Sequence, residues 1–165
     1  MKLMLSELFN RKLTELVNIC LETGETPECL NTGKMTQIDK KEASSKISNK
    51  RLITVSNLMF SVITKSINYR MLKIYERENL FGDTQYGFRP GRSTTDCIFL
   101  LLAAVRKAKK KKYRISVAFC DLQKAYDSID RETLYKKLEY SGFGGKVLQL
   151  IQSMYYNDNV VIKLS

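Results

Sequence analysis

The chain has 165 residues, of which 28 are lysine or arginine and 17 are aspartate or glutamate, giving a net charge of +11. Its hydrophobic content of 44% is typical of a globular protein, and its charge favours polyanionic partners without selecting one. Because it contains no histidine, it lacks Ser-His-Asp and Cys-His nucleophiles, histidine-bound zinc and an imidazole base, so any catalysis would depend on carboxylates, lysine, tyrosine, cysteine or an external metal.

The first half of the chain is predicted to contain two helices and two short strands. The first helix has an apolar stripe at helical spacing and is stopped by Gly24 and Pro27. The second helix is capped by Ser56, and a polar loop or hairpin tip at Asp39–Asn49 separates the two strands. The predicted bounds are 3–22 and about 57–75 for the helices, and Lys34–Ile38 and Arg51–Val55 for the strands.

The second half begins with an ordered loop, Phe81–Arg92, which holds three glycines and a proline. Ser93 and Asp96 have the spacing of a capping box, ahead of a helix that reaches about Lys111. Four further elements are predicted, a strand at Arg114–Asp121, helices at Arg131–Tyr140 and Lys146–Tyr156, and a strand at Val160–Leu164. Strands in pairs between long helices indicate an α+β fold.

Cysteine spacing and hydropathy give the expected compartment. The cysteines at positions 20, 29, 97 and 120 form no C-x-x-C pair, so we expect buried thiols in a reducing environment instead of zinc ligands or disulfides. The longest apolar run, Cys97–Val105, is far shorter than the ~20 residues that cross a membrane. We therefore expect an intracellular protein, in the nucleus or cytoplasm, without a membrane partner.

The positive charge is densest at Arg106–Lys112, which is followed by Arg114. This run is either the water-facing end of a helix, where cations also suit the C-terminal dipole, or a contact for phosphates. The sequence leaves both interpretations open.

The most informative segment is Phe119–Asp127, in which an apolar strand ends at Asp121 and a second aspartate follows at Asp127. A carboxylate at the end of a strand suits Mg²⁺, which takes one or two carboxylates together with substrate phosphates, and a pair of such ions can activate an attacking oxygen and stabilise a leaving one. Alternatively, Asp121 caps a turn and Asp127 or Asp130 caps a helix. Spacing alone does not decide between these interpretations.

Two motifs resemble those of one enzyme family. The pattern F-x-D-x-x-K-A-Y-D at residues 119–127 resembles the first catalytic motif of reverse transcriptases, most closely those of non-LTR (LINE-type) retrotransposons. The segment Gln85–Asp96 is similar to the family's Gln-x-Gly-Phe-Arg-x-x-Arg-Ser-Thr segment. Upstream, Lys40–Lys41 and Asn49–Ile53 resemble its fingers motif, and Thr23–Pro27 resembles its initial Gly-x-x-Pro turn.

The resemblance covers almost the whole chain in the family's order. It implies a partial right-hand polymerase fold, in which residues 1–92 form a fingers-like region and residues 93–165 form the N-terminal half of the palm. The two regions together would be one truncated domain.

The resemblance also implies roles for residues at the nucleotide. Asp121 would be the catalytic, first metal-binding carboxylate, and the backbone carbonyl of Leu122 a further ligand. Tyr126 lies where family members place the aromatic ring that blocks a ribose 2′-OH, unless that ring is simply packed at the turn. Arg51 matches the fingers arginine that contacts the incoming triphosphate, and Lys41 is a weaker candidate for the same contact. These roles imply Mg²⁺ as the cofactor and a dNTP as the substrate.

A second set of residues is implied to contact the template. The family's corresponding loop lies against the template strand and the templating base, and its glycines let the backbone approach closely while its arginines pair with phosphates. The residues concerned are Gln85, Gly87, Phe88, Arg89 and Arg92. The implied partners are an RNA template and a DNA primer.

The sequence departs from the family pattern at its end. Family members continue to a Gln-Gly motif, an aromatic-x-Asp-Asp hairpin with the other metal carboxylates, and a thumb, whereas this sequence reaches Ser165 without them. At Tyr155–Asp158 an asparagine takes the place of the first aspartate, so we interpret that segment as a turn. We therefore expect a retrotransposon reverse transcriptase fragment that is inactive alone and binds Mg²⁺ weakly or not at all.

Two other hypotheses remain at this stage. The chain could be a non-catalytic RNA- or DNA-binding remnant or domesticated protein that uses its basic surface, or a basic scaffold unrelated to polymerases, which would explain the charge but not the ordered motifs. A palm sheet that is cut short exposes strand edges, so we expect the remaining part of the polymerase, or a second copy, as a partner.

Overall fold

The computed structural model describes residues 7–39, 50–156 and 159–162. In these ranges five helices, one short 3-10 turn and three strands confirm the mixed α+β class. They are α1 Glu7–Thr23, the 3-10 turn Glu28–Leu30, β1 Thr32–Asp39, β2 Lys50–Val55, α2 Leu58–Arg77, α3 Thr94–Lys110, α4 Arg131–Tyr140, α5 Gly145–Tyr156 and β3 Asn159–Ile162. The predicted helix start at 3–6, most of the predicted loop at 39–49 and the predicted strand end at 163–164 lie outside the described residues.

The chain divides into two compact units, which are described separately below. The first unit comprises Met1–Tyr69 and Arg131–Ser165, and the second unit comprises Arg70–Asp130. The limits of these units fall within α2 and just before α4, and not between residues 92 and 93. The predicted division into fingers and palm concerns regions of a polymerase family and stays a prediction.

The sheet of the first unit has the strand order β2-β1-β3. Strand β1 pairs antiparallel with β2, with Lys34 opposite Val55, and parallel with β3, with Thr32 opposite Asn159. A Cβ on Gly33 would lie 2.5 Å from Thr54 Cγ2, so any other residue at this position of β1 would force the Thr54 side chain to move. The sheet therefore joins the predicted strand pair to a segment more than 100 residues away in sequence.

The helices of the first unit form the hydrophobic core. Helix α5 packs against α1 and α4. Every buried apolar side chain of the described residues belongs to this unit, and they are Val17, Cys20, Ile63, Ile67, Leu138, Phe143 and Leu150. Burial raises the pKa of the Cys20 thiol. The expectation of buried thiols holds for Cys20 but is wrong for the other three cysteines, which are exposed.

The helix starts depend on side-chain caps. Helix α2 is capped by Asn57, whose Oδ1 accepts a 2.9 Å hydrogen bond from Met59 N–H, so the predicted cap Ser56 is wrong by one residue. The predicted capping box of α3 is confirmed. Asp96 Oδ2 accepts from Ser93 N–H at 2.8 Å, and Ser93 Oγ accepts from Asp96 N–H at 3.3 Å.

The predicted strand at Arg114–Asp121 is wrong, because residues 113–122 of the second unit contain neither helix nor strand. None of the three described strands pairs with this segment. A strand forms only when its backbone hydrogen bonds to a neighbouring strand. The alternation of Ile115, Val117 and Phe119 shows that these side chains would share one face, but it does not show that a neighbouring strand is present. Accordingly these side chains are exposed, Phe119 to 86%.

The second unit contributes no buried apolar side chain among the residues described. The apolar run of α3 is exposed at Ile98, Phe99, Leu100 and Leu102. None of the described helices combines the length and the hydropathy needed to cross a membrane.

Candidate functional site

The loop Phe81–Arg92 is ordered by hydrogen bonds within itself, as the sequence predicts. Gln85 N–H donates to Gly82 O at 3.0 Å, and Gln85 Nε2 donates to Gly87 O at 2.9 Å. Phe88 has a positive φ of +60°, and its side chain is 85% exposed. An exposed ring on a left-handed residue is not explained by packing, and it leaves the aromatic face of the loop open to a partner.

Arg89 is held inside the second unit. Its Nε and Nη2 donate to the two carboxylate oxygens of Glu76 at 2.8 and 3.0 Å, and Nη1 donates to Gly82 O at 3.3 Å. The guanidinium also lies 5.3 Å from the centre of the Phe81 ring, and the side chain is 10% exposed. The hydrogen bonds from Arg89 hold the pKa of Glu76 below its usual range. Arg89 thus has a structural role, and its contact with a template stays a prediction.

Arg92 is bound more loosely. Its Nη1 donates to Asp83 O at 2.9 Å, and its guanidinium lies 5.1 Å from the centre of the Tyr86 ring. Among the described residues no carboxylate forms a salt bridge with it. Arg92 lines an open cleft of about 360 Å³ with Tyr86, Asp96, Phe99 and Leu100. Of the two loop arginines, Arg92 is the less tightly bound, although its charge also contributes to the lowered pKa of Glu76.

The segment around Asp121 is exposed throughout. Asp121 is exposed and makes no hydrogen bond or ion pair with the rest of the described chain. Leu122 is 79% and Tyr126 78% exposed. The turn that follows is closed by Ser128 N–H donating to Lys124 O at 3.0 Å. The Tyr126 ring is therefore not packed within the described chain, and its contact with a ribose stays a prediction.

The described residues do not form a metal site. No group of three or more cysteine, aspartate or glutamate side chains that could hold a metal ion occurs in ranges 7–39, 50–156 and 159–162. Asp121 is exposed and belongs to no such group, whereas Mg²⁺ is usually bound by one or two carboxylates together with substrate phosphates. On its own Asp121 supplies one of these ligands, and weak or absent Mg²⁺ binding stays a prediction.

The structure describes some of the residues that the sequence analysis singled out and not others. Arg51 belongs to β2 of the first unit, where its backbone is opposite Ile38 of β1. Lys41, Asn157 and Asp158 lie outside the described residues. Gln85, Gly87, Phe88, Arg89 and Arg92 are brought together in one loop of the second unit, and no hydrogen bond or ion pair joins Asp121 or Tyr126 to that loop in the described chain.

Sequence reasoning missed a cleft of about 790 Å³ in the first unit. Thr26 and Ser153 line it and are joined by hydrogen bonds, including Thr26 N–H to Ser153 Oγ at 3.0 Å. The Arg131 guanidinium, also in the lining, lies 5.1 Å from the Tyr155 ring centre, and burial raises the pKa of the Tyr135 hydroxyl. Contacts separated by 127 residues leave no local signal, so the sequence could not have indicated this cleft.

Comparison with known proteins gives a consistent result. The model of the reverse transcriptase (RNA-dependent DNA polymerase) family matches residues 38–164. The chain is also 26% identical over 157 residues to a protein of Xenopus laevis described as the transposon TX1 uncharacterized 149 kDa protein. That alignment covers 95% of this chain and 12% of the relative, so the chain spans about one eighth of that relative's length.

Proposed function

The chain belongs to the reverse transcriptase family, and on this premise we propose that it forms the fingers and the first half of the palm of an RNA-directed DNA polymerase from a non-LTR retrotransposon. The observation that carries the proposal is the position of the exposed Asp121 and Tyr126 within the F-x-D-x-x-K-A-Y-D motif, inside the range that the family model matches. The similarity to a transposon protein supports the retrotransposon origin. Family membership also rules out the hypothesis of a basic scaffold unrelated to polymerases.

In this proposal the substrates are an RNA template, a DNA primer and a dNTP. Gln85, Gly87, Phe88 and Arg92 face the template strand, since their loop is exposed and Arg92 keeps a charge for a phosphate. Tyr126 discriminates against a ribose 2′-OH by collision, which requires an accessible ring. Arg51, with Lys41 as a weaker candidate, contacts the triphosphate of the incoming nucleotide.

We further propose that the 165-residue chain is inactive by itself. Nucleotidyl transfer in the complete polymerase depends on Mg²⁺, whose chemistry needs more carboxylates than Asp121 supplies, while the described residues gather no group of metal ligands. The chain would contribute Asp121 and the carbonyl of Leu122 to a site that other carboxylates complete. The part of the polymerase that carries those carboxylates, or a second copy of the chain, would also cover the exposed apolar face of α3.

Primer extension tests this part of the proposal. The purified chain, an RNA template annealed to a labelled DNA primer, the four dNTPs and Mg²⁺ should give no extension above a reaction without protein. An Asp121→Asn chain is the matched control and should behave identically. Extension by the natural chain that disappears in Asp121→Asn would show that the chain is catalytically complete.

A non-catalytic nucleic-acid-binding role is the second candidate function. It is favoured by one observation, that the seven cations between Arg106 and Arg114 make no ion pair with the rest of the described chain. Binding of RNA without any effect of the residues in the 85–92 loop would favour this role over a polymerase template site.

A further inference from the structure

The end of helix α3 carries a dense group of cations, which we name the lysine patch. All of its members are exposed, and they lie on the last turns of α3 and just after it. They are Arg106, Lys107, Lys109, Lys110, Lys111, Lys112 and Arg114. No aspartate or glutamate occurs between Asp96 and Asp121 in the sequence. None of the seven side chains forms a salt bridge or hydrogen bond with the described chain. Their mutual repulsion is therefore balanced by solvent and counterions instead of by protein carboxylates.

The backbone of the patch ends in a turn that usually contains glycine. Lys112 N–H donates to Lys109 O at 3.1 Å, and Tyr113 N–H donates to Ala108 O at 2.9 Å, which is the paired hydrogen bonding of a Schellman motif. The residue in the left-handed position is Lys112, with φ +55°. A side chain there is strained, and glycine would relieve the strain. The lysine is thus present at a cost to the fold, which points to a use for its charge.

An aromatic ring lies within the patch. Tyr113, between Lys112 and Arg114, is 70% exposed and makes no ring contact within the described chain. Cations beside an open aromatic ring are the combination that binds single-stranded nucleic acid, because the cations pair with phosphates while an unpaired base stacks on the ring. A duplex keeps its base faces covered and would leave the ring unused.

From the uncompensated cations, the strained Lys112 and the exposed Tyr113 we infer that the lysine patch is a second binding site for single-stranded RNA or DNA, separate from the Gln85–Arg92 loop. Phosphates contact the lysine and arginine side chains, and one base stacks on Tyr113. The choice of a nucleic acid as the partner rests on the proposed function. The site would hold an unpaired part of the template or a displaced strand.

Fluorescence anisotropy with the full chain and a labelled single-stranded RNA tests the charge component. Each phosphate that a cation neutralises contributes about 0.7 to the slope of log affinity against log salt for single strands. Changing Lys109, Lys110, Lys111 and Lys112 to Gln should therefore reduce the slope by about 3 and the affinity at 0.1 M salt by about a hundredfold or more. The matched control removes the same charge from Lys34, Lys65, Lys136 and Lys137, which are exposed elsewhere, and should retain most of the affinity.

The ring is tested by Tyr113→Leu, which should weaken binding by about tenfold without changing the salt slope. Tyr140→Leu is its control, because Tyr140 is 96% exposed on α4, and it should have no effect. Circular dichroism of each variant verifies that α3 remains helical. Equal affinity of the natural chain for the single strand, for a duplex of the same sequence and for polyglutamate would overturn the inference.

An Arg92→Ala chain separates this inference from the proposed function. If Arg92→Ala weakens binding and the quadruple lysine variant does not, the patch is not a site while the template loop stands. If the lysine variant loses binding and Arg92→Ala is unchanged, the patch is supported and the template role of the loop fails. Failure of the natural chain to bind any RNA at low salt would overturn both.

Discussion

At the scale of single residues, two arginines in one loop have different roles. Arg89 has a two-point hydrogen bond to Glu76, whereas Arg92 donates one hydrogen bond to a backbone carbonyl and keeps the rest of its guanidinium for other partners. The resemblance to the family's template loop implies a phosphate contact for both of them. What distinguishes them is a glutamate 13 positions before Arg89 on another element, and a motif cannot indicate that contact.

We expect Arg92→Ala to reduce the salt slope of RNA binding by about 0.7, because one phosphate contact is lost. It should lower the thermal unfolding midpoint less than a change at Arg89 does, because it removes one hydrogen bond to Asp83 O and the contact with the Tyr86 ring but leaves the Arg89–Glu76 ion pair in place. Arg89→Ala should lower the midpoint, and Arg89→Lys should lower it too, since a lysine cannot form the paired hydrogen bonds to Glu76. Anisotropy titrations and circular dichroism measure the two effects. An Arg89→Lys chain as stable as the natural one would contradict the structural role.

The same pair predicts a dependence of stability on pH. Because the folded-state pKa of Glu76 is lowered by the hydrogen bonds from Arg89, the pair stabilises the fold above the ordinary pKa of a free glutamate. That stabilisation is lost as the pH falls through the lowered pKa. The difference in unfolding midpoint between the natural chain and Arg89→Ala should therefore be largest near neutral pH and shrink in acid.

At the scale of elements, helix α3 shows which local rules hold. Its start was predictable because Ser93 and Asp96 cap it with bonds that depend on spacing alone. Its end at Lys110 was also predicted to within one residue, at about Lys111, whereas the turn after it was not, because Lys112 adopts the left-handed conformation that the sequence rules assign to glycine. The strand predicted after it was wrong for a different reason, since a strand depends on a neighbour that no local pattern encodes.

Replacing Lys112 with glycine should stabilise the chain by about 1 kcal/mol, because the left-handed conformation penalises a side chain and not glycine. Lys111→Gly is the matched control, since Lys111 is the C-cap residue with an ordinary φ of −89° and glycine there should give no such stabilisation. Chemical denaturation followed by circular dichroism measures both changes. Destabilisation by Lys112→Gly would remove the argument that Lys112 is kept for its charge.

At the scale of the whole molecule, the family and most of the order of elements were accessible from the sequence, while the distribution of the core was not. The motifs are recognised by short spacings and by their order along the chain, and neither depends on how the elements pack in three dimensions. The pairing of β1 with β3 and the Thr26–Ser153 contact join distant segments, so no local pattern contains them. The buried apolar side chains lie in the first unit, in which α5 packs against α1 and α4.

The exposed surfaces of the second unit are those that the proposed function needs. Residues 113–122 are exposed, and so are Ile98, Phe99, Leu100 and Leu102 of α3 and Gln85, Gly87 and Phe88 of the loop. In the proposed polymerase these surfaces contact the nucleic acid, the nucleotide and the remaining palm. An isolated chain would instead tend to associate with further copies of itself through its apolar surfaces and sheet edges.

The central claim is that the Gln85–Arg92 loop faces an RNA template. The most direct measurement is photo-crosslinking of the full chain to an RNA template annealed to a DNA primer, with a photoreactive thiouridine at the templating position, followed by mass spectrometry of the crosslinked peptides. We expect the crosslinked peptides to contain residues 85–92. Crosslinks that are absent from these residues and confined to the lysine patch or to the first unit would contradict the claim.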